Sequence, residues 1–288
     1  MEHTLVLLNA AAGRGRSRKK IERVRALSRE AGAQVVDTSS VNETKERARL
    51  AAEAGARVVA AGGDGTVHHV LNAVVGTPGA LAIIPVGSGN DLARNLRIPS
   101  GVDEATRFAL TGPRRRVDAA RVNGRWFGGV ASFGLDSRAN QIANEHQRIS
   151  GTLLYIYALL RALIEWRQPM VRVQSDGGEF HGRIMLAVAA NTTSYGGGMK
   201  IAPKADMTDG RFDLCIVSGM SRLKLLRCFP EVFWATHLRH REVTYMQATR
   251  ARIEADRPLD IFADGEFVGR TPVEIEVAPA ALSVIAPP

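Results

Sequence analysis

The chain has 288 residues, 45% of them hydrophobic and 23% charged, and its 38 Lys and Arg outweigh 29 Asp and Glu to give a net charge of +9. This composition is that of a globular protein and excludes a largely disordered chain. Aromatic residues make up 6%, and no motif for nucleic-acid binding accompanies the basic clusters, so nucleic acid is not an expected partner. The charge favours phosphate-bearing ligands or an anionic membrane, or it is a solvated surface without a specific partner.

The first third of the chain alternates short apolar runs with helical patterns. The predicted strands are 4–9, 34–37, 57–61 and 82–85, and the predicted helices are 17–31, 43–54 and 67–75. Such alternation is typical of a parallel sheet with helices on both faces. The apolar residues 5–8 lack the basic flank and the length of a signal peptide, so we interpret them as the first strand.

From about residue 117 the pattern changes to closely spaced strands. We predict strands at 117–122, 126–132, 170–174, 184–190, 212–217, 243–248, 252–255, 260–263, 273–277 and 283–285, with apolar helices at 152–166 and 222–236. Strands without regular helical crossovers indicate an antiparallel β-sandwich. The sequence therefore predicts an α/β domain at 1–118 and an all-β domain at 119–288.

Two cysteines cannot form a disulfide framework in a chain of this size. Neither Cys215 nor Cys228 has Cys or His at a metal-ligand spacing, so we expect inert thiols in a reducing, cytoplasmic protein. His237 and His240 lie three residues apart among arginines, and we interpret them as solvated because no acidic or cysteine ligand joins them. The apolar run 153–166 is too short to span a bilayer.

A glycine-rich loop follows the third predicted strand and leads directly into a helix. It consists of Gly62, Gly63, Asp64, Gly65 and Thr66. Glycines let backbone N–H groups approach a phosphate, and the helix N-terminus favours negative charge. The loop is not a Walker A motif, because no Gly-Lys-Ser/Thr follows. A tight turn with a capping Asp is the alternative.

A second loop of this kind follows the fourth strand. It contains Gly87, Ser88, Gly89, Asn90 and Asp91, and Asp91 is also a good helix N-cap residue. A third loop, Asn9 to Gly13, follows the first strand. Because the carboxyl ends of parallel strands meet at one edge of a sheet, these three loops predict a polyphosphate site.

Together these motifs resemble the diacylglycerol kinase catalytic domain, and more specifically bacterial diacylglycerol-kinase-like lipid kinases related to sphingosine and ceramide kinases. The resemblance continues through Asp118, 195–203 and 209–213 to Asp264-Gly265-Glu266, so it covers nearly the whole chain. It implies a phosphofructokinase- or NAD-kinase-like α/β domain followed by an antiparallel β-sandwich, with the active site between them. It also implies ATP, Mg²⁺ and a lipid alcohol such as diacylglycerol as acceptor.

The chain departs from the family pattern at three places. Ser88 stands where the family usually has Thr, and His69 stands where it usually has Glu. The chain also ends shortly after the last strand, without the C-terminal helix of some relatives. The first change keeps the hydroxyl, whereas the second affects contacts to the nucleotide.

The resemblance implies a role for each matched residue. The donor phosphates would be held by the amides of Gly63, Gly65 and Gly87 and by the hydroxyls of Thr66 and Ser88. The other residues expected to contact the nucleotide are Asn9, Gly13, Thr38, Gly62 and Asn90. For Thr38 the alternative is a hydroxyl that opens a loop and binds no ligand. Asp64 and Asp91 would organise Mg²⁺ and polyphosphate, with Asp64 also counted as catalytic. Asp118 would reach the catalytic metal through water, or would form a surface ion pair beside Arg116.

Glu266 is the expected proton acceptor. It follows Asp264-Gly265, a strong signal for a tight hairpin turn, and without the resemblance it would be an ordinary exposed Glu. By the same resemblance, the Asp209 side chain and the backbone carbonyls of Asp206 and Arg211 hold a structural Mg²⁺, where a turn without metal is otherwise expected.

The helices at 152–166 and 222–236 carry the apolar residues expected to meet the lipid. Basic residues beside aromatics in the second one favour transient contact with an anionic inner-membrane surface, whereas core packing is the more common meaning of such stripes. The sequence does not determine the oligomeric state and is compatible with a homodimer.

Two other functions fit parts of the pattern. A nucleotide kinase of the NAD kinase type shares the first glycine loop, but 87–91 and 264–266 fit the lipid branch better. A non-catalytic nucleotide- or lipid-binding protein could keep the loops, but it would have little use for Asp64, Asp91, Asp118 and Glu266 together.

Overall fold

The computed structural model describes residues 3–9, 16–145 and 152–288. The chain divides into two compact units, one formed by Met1–Ala119 with Ala280–Pro288 and the other by Ala120–Pro279. This differs from the sequence-based division at residue 118 in one respect. Residues 280–288 return to the first unit, because Val284 pairs in parallel with Leu81 there.

The first unit is an α/β structure. Its strands are β1 (Thr4–Asn9), β2 (Gln34–Thr38), β3 (Arg57–Gly62) and β4 (Ala80–Pro85), and its helices are α1 (Arg16–Glu30), α2 (Val41–Glu53), α3 (Asp64–Val74), α4 (Asp91–Asn95) and α5 (Val102–Thr111). The strands lie in the order β4-β3-β1-β2, and all of these pairs are parallel. Every residue of β3 and β4 is buried, as expected for inner strands covered on both faces.

The second unit is mainly antiparallel β. Its strands are β5 (Arg114–Val122), β6 (Arg125–Phe127), β7 (Val130–Gly134), β8 (Met170–Ser175), β9 (Gly178–Ala190), β10 (Phe212–Ser218), β11 (Val243–Ala248), β12 (Arg250–Ala255), β13 (Asp260–Ala263), β14 (Glu266–Arg270) and β15 (Val273–Ile285). Of these, β5 and β15 belong partly to the first unit. Its helices are α6 (Leu135–Glu145), α7 (Thr152–Glu165) and α8 (Arg222–Cys228), and two 3-10 segments follow α8 (Phe229–Trp234 and His237–Arg239).

The long strand β9 joins the two sheets of the second unit. Its first half pairs with β8, and its second half pairs with β7 and β10, all antiparallel. Side chains from both sheets, among them Phe127, Phe133 and Phe212, are fully buried in one core. This arrangement confirms the predicted β-sandwich.

Three elements differ from the sequence-based expectation for local reasons. The helix predicted at 222–236 ends at Cys228, because Pro230 lacks an N–H and cannot continue an α-helix, and a 3-10 segment follows. The strand predicted at 126–132 is interrupted at Gly128 and Gly129. The two stretches predicted at 273–277 and 283–285 are a single strand, β15. The helices α5 and α6 were not predicted.

Candidate functional site

The structure brings the first two glycine loops together. Strands β3 and β4 are neighbours, with Gly62 opposite Pro85, and the amide of Val86 donates to the Gly62 carbonyl at 3.1 Å. A Cβ on Gly87 would lie 2.6 Å from the Cα of Gly63, so only glycine permits this approach. Helix α3 begins at Asp64, three residues earlier than predicted, which places Asp64, Gly65 and Thr66 in its first turn.

Asp64 joins the two loops. Its Oδ2 accepts a hydrogen bond from the amide of Asn90 at 2.8 Å, and its Oδ1 accepts one from the amide of Asp91, also at 2.8 Å. A Cβ on Gly89 would overlap this carboxylate. A negative charge is stabilised by the amides at the start of a helix, and here the carboxylate bridges from α3 to the first residue of α4. The side chain therefore holds the second loop against the first.

The second loop is closed by its own side chains. Asn90 adopts a left-handed conformation with φ 55°, accepts from the Gly87 amide at 3.1 Å and donates to the Gly87 carbonyl at 2.8 Å. Arg94 pairs with the Asp91 carboxylate at 2.6 Å and donates to the Gly89 carbonyl at 2.7 Å. Asn90 thus shapes the loop, whereas Ser88 is exposed to solvent.

The third loop is described only at its start. Asn9 donates from Nδ2 to the Thr66 hydroxyl at 3.0 Å, which ties the end of β1 to α3. Gly13 lies outside the described residues. Thr38, at the end of β2, is buried; its hydroxyl donates to the Leu8 carbonyl at 3.4 Å and accepts from the Thr44 hydroxyl at 2.8 Å. The Thr38 hydroxyl therefore forms hydrogen bonds within the first unit, to β1 and α2.

Asp118 is buried, with 2% of its surface exposed, so the alternative of a surface ion pair with Arg116 is wrong. Its Oδ1 accepts from the amide of Ala280 at 2.7 Å, and Arg116 donates to the carbonyl of the same residue at 3.1 Å. Ala280 itself has φ 51°. Asp118 therefore lies where the chain re-enters the first unit.

Glu266 begins β14 and follows a tight hairpin turn. Asp264 and Gly265 both have positive φ, 51° and 85°, which is the geometry of a type I′ turn. Glu266 pairs with Ala263 across the hairpin and is half-buried. In the part of the chain that the structure describes, no group is hydrogen-bonded to the Glu266 carboxylate.

The side chain of Asp264 is a site residue that the sequence analysis did not single out. Its carboxylate accepts hydrogen bonds from the amides of Gly128, Gly129 and Val130 at 3.0, 2.9 and 3.1 Å. A Cβ on Gly129 would lie 2.6 Å from Asp264 Oδ1. Asp264 thereby attaches the hairpin of Glu266 to the start of β7. The adjacent glycines within the strand predicted at 126–132 were the signal in the sequence.

The turn from Asp206 to Arg211 is closed by short-range hydrogen bonds. Asp206 Oδ1 accepts from the amide of Thr208 at 2.9 Å, and Asp209 Oδ1 accepts from the amide of Arg211, also at 2.9 Å. Both carboxylates are exposed. Asp213 follows on β10 and is fully buried beside Tyr245, and this burial raises the pKa of Asp213.

The second unit contains an apolar cavity. Leu159 of α7 and Leu225, Phe229 and Val232 from the segment 222–236 all line it. Both helical segments that were expected to meet lipid therefore contribute to its wall, and the same residues also pack in the core, which was the alternative.

A polar pair stands in the wall of this cavity. The Tyr195 hydroxyl donates to Asp136 Oδ1 at 3.0 Å. Asp136 is fully buried, and this burial raises its pKa to about 6, so the carboxyl takes up a proton at a higher pH than an exposed Asp does. Asp136 was not identified from the sequence.

The prediction that His237 and His240 are solvated and lack an acidic neighbour is wrong. His237 is buried, bonds the Ile201 carbonyl at 3.1 Å, and has a pKa lowered by burial. His240 Nε2 lies 2.9 Å from Glu231 Oε2, and this hydrogen bond is the largest influence that lowers the pKa of Glu231. The sequence analysis missed the contact between His240 and Glu231, because the two residues are nine positions apart and share no helix.

Comparisons with known proteins follow the same division of the chain. Residues 3–122 match the model of the diacylglycerol kinase catalytic domain, and residues 129–286 match that of the YegS C-terminal NAD kinase beta sandwich-like domain. The match of the glycine-loop unit to this catalytic domain assigns the protein to the lipid kinases.

The diacylglycerol kinase of Mycobacterium tuberculosis (strain ATCC 25618 / H37Rv) is 35% identical over 98% of this chain and 94% of its own length. That of Bacillus subtilis (strain 168) is 29% identical over 95% of this chain and 93% of its own. The chain therefore belongs to the diacylglycerol kinase family, as the sequence motifs predicted.

Solved structures agree in fold. A diacylglycerol kinase from Bacillus anthracis str. Sterne has a TM-score of 0.76 at 19% identity, covering 100% of this chain and 97% of that one. Yeast NADH kinase complexed with NADH has a TM-score of 0.52 at 8% identity, covering 100% and 84%. Within the described ranges, no helix has the length and apolar character needed to cross a bilayer.

Proposed function

We propose that this lipid kinase transfers the γ-phosphoryl group of Mg²⁺-bound ATP to the hydroxyl of diacylglycerol or a related lipid alcohol. The observation that carries the proposal is the pair of glycine loops braced by Asp64 at the ends of adjacent parallel strands. This is the position at which open α/β sheets bind phosphorylated ligands. The first unit would hold the donor, and the second would supply the acceptor pocket and the base.

The donor must be held while negative charge is neutralised. The amides of Gly63 and Gly65 at the start of α3, with the Thr66 hydroxyl, supply hydrogen-bond donors to phosphate oxygens. Carboxylate oxygens suit Mg²⁺, and Asp64 places two of them where the glycine loops meet. Asp91 and Asp118 are the further candidates for organising the ion, which would neutralise charge on the transferred group.

The apolar cavity is the proposed place for the lipid. Its aliphatic wall suits an acyl chain, and the Asp136–Tyr195 pair offers the polar groups that a glycerol hydroxyl or ester needs. Below a pH of about 6 the neutral Asp136 carboxyl can donate a hydrogen bond to the lipid, and above it the ionised carboxylate can only accept one.

Glu266 is the proposed general base that accepts the proton of the attacking hydroxyl. Replacing it in Glu266→Gln should lower kcat by about 10²–10⁴ while the KM for ATP and the melting temperature stay close to wild type. Glu179→Gln, an exposed Glu on β9, is the matched control. Wild-type turnover in Glu266→Gln would remove this residue from the mechanism.

The acceptor is tested with labelled ATP and a panel of diacylglycerol, sphingosine, ceramide and NAD. We expect label in diacylglycerol or another lipid alcohol, dependent on Mg²⁺. Labelling of NAD alone would make the protein a nucleotide kinase. Folded protein that binds ATP but labels none of the four would support a non-catalytic relative.

The Asp206–Arg211 turn is the proposed structural Mg²⁺ site, with the Asp209 carboxylate and the carbonyls of Asp206 and Arg211 as ligands. Its donors are oxygens only, which fits Mg²⁺ chemistry. Asp209→Asn should then remove any rise in melting temperature that Mg²⁺ gives the wild type without ATP.

Transient contact with an anionic membrane is proposed for the second unit. Exposed apolar side chains stand on α7, α8 and the first 3-10 segment: Tyr157, Leu160, Ile164, Leu223, Leu226 and Trp234. Exposed Arg222 and Arg227 lie on the same helix as Leu223, and their positive charge suits acidic lipid headgroups.

The fraction of protein that sediments with anionic vesicles should fall in the double variant Leu223→Ser/Trp234→Ser. It should not fall in Leu50→Ser, which changes an exposed position on α2. Wild-type protein that stays wholly in the supernatant would contradict this contact. The homodimer stays a prediction.

A further inference from the structure

Three potential metal ligands meet beside the apolar cavity of the second unit. The sulfur of Cys228, a carboxylate oxygen of Glu231 and a ring nitrogen of His240 all lie within 4.8 Å of one another, and all three residues are half-buried. None of them belongs to the proposed donor site, acceptor base or structural Mg²⁺ turn.

The local fold explains why they meet. Helix α8 ends at Cys228 and continues as a 3-10 segment, in which side chains three residues apart lie above one another. Cys228 and Glu231 have this spacing. Ala235, with φ 60°, then reverses the chain, and the short turn His237–Arg239 returns it to Glu231. His240 is held there, because its amide donates to the His237 carbonyl at 3.2 Å and its carbonyl accepts from Val243 at 2.9 Å.

The ligand atoms are already oriented toward one another. His240 Nε2 and Glu231 Oε2 are 2.9 Å apart, so a cation could take the place of the hydrogen they share. The other carboxylate oxygen, Oε1, is bonded by Arg239 at 3.2 Å and would keep that bond. Outer bonds of this kind orient a ligating carboxylate.

We propose that Cys228, Glu231 and His240 form a Zn²⁺ site. A thiolate, an imidazole and a carboxylate are the donors that Zn²⁺ accepts in proteins, usually in tetrahedral geometry. Mg²⁺ and Ca²⁺ prefer oxygen ligands alone, so this site is chemically separate from the kinase chemistry. On binding, the Cys228 thiol loses its proton to solvent, and water takes the fourth position.

The site would also affect the cavity. Cys228 and His240 line it, together with Leu225, Phe229 and Val232 from the same stretch. A cation bound to three points of this stretch would hold the cavity wall in one conformation. Metal occupancy would therefore stabilise the second unit without altering the phosphate loops.

The test uses the full-length protein freed of metal with a chelator. Co²⁺ replaces Zn²⁺ as a spectroscopic probe, and the wild type should show thiolate-to-cobalt charge-transfer absorption that Zn²⁺ abolishes. Cys228→Ser should lose this absorption, whereas Cys215→Ala, which removes the buried thiol of β10, should keep it. His240→Asn and Glu231→Gln should weaken Zn²⁺ binding by about 10-fold or more, and His181→Asn, an exposed histidine, should not.

Thermal melting gives an independent readout. Zn²⁺ should raise the melting temperature of the wild type and of His181→Asn, but not that of Cys228→Ser. A wild type without charge-transfer absorption, absorption that persists in Cys228→Ser, or equal Zn²⁺ affinity in wild type and His240→Asn would overturn the proposal. Glu231 and His240 would then form an ion pair and no more.

Discussion

Asp264 offers the sharpest test of how the hairpin of Glu266 is held. Its carboxylate accepts three backbone hydrogen bonds, from Gly128 at 3.0 Å, Gly129 at 2.9 Å and Val130 at 3.1 Å. The first goes to Oδ2 and the other two to Oδ1. In Asp264→Asn, the amide oxygen can keep two of them, but the amide nitrogen then faces the N–H of Gly128, and two donors repel.

The magnitude follows from these bonds. Asp264→Asn loses one charge-assisted hydrogen bond and weakens two others, which should lower the free energy of unfolding by about 2 kcal/mol. Asn tolerates the positive φ of this position, so no backbone strain is added. Asp264→Ala loses all three bonds and adds about 1 kcal/mol for a left-handed alanine, for a total of about 4 kcal/mol. Asp264→Gly separates the two effects, because glycine adopts this φ without strain.

Urea denaturation measures the stabilities, and a kinase assay below the denaturation range measures turnover. We expect kcat to fall in Asp264→Asn because Glu266 lies two residues along the same hairpin, while the KM for ATP is unchanged. An Asp264→Asn variant within about 0.5 kcal/mol of wild type would refute the assigned role of the three amide bonds.

Further substitutions test the loops and the buried carboxyl. Gly89→Ala should overlap the Asp64 carboxylate, lower stability by about 1–3 kcal/mol and raise the KM for ATP, whereas an unchanged KM would contradict the bracing of the loops. Thr66→Val removes the oxygen that accepts from Asn9 and should cost about 1 kcal/mol in thermal or urea unfolding, with Thr66→Ser close to wild type. Burial raises the pKa of Asp136 from 3.8 to about 6, so the folded state binds the proton more tightly and the wild type loses stability as pH rises between these values. By linkage this loss is about 3 kcal/mol relative to Asp136→Asn, and parallel pH profiles of the two proteins would contradict it.

Much of the first unit could be predicted because its signals are local. The strands β1 to β4 are short apolar runs between turn residues, and their predicted bounds differ from the structure by two residues or fewer. The glycine loops follow directly from the residues at the strand ends. The tight turn before Glu266 was also visible, because Asp-Gly favours two successive residues with positive φ.

The missed elements have identifiable causes. Helix α6 begins at Leu135, directly after Gly134 with φ 92°, and the sequence analysis assigned its residues to no element. The segment 222–236 has a helical apolar pattern throughout, and Pro230 alone marks its break. The second error comes from judging a segment by its periodicity without the packing around it.

The sequence by itself determined the family, the two kinds of domain, the strand-end loops and the hairpin of Glu266, because each is carried by short motifs or local patterns that can be recognised without knowing which strands pair. Only the tertiary structure decided the partners of Asp264, which lie 134 to 136 residues away, the burial of Asp118 against Ala280, and the meeting of Cys228, Glu231 and His240. Hydrogen bonds and ligand clusters of this kind need atoms within a few ångströms in space. The number of residues between two positions does not determine how close their side chains lie once the strands have paired.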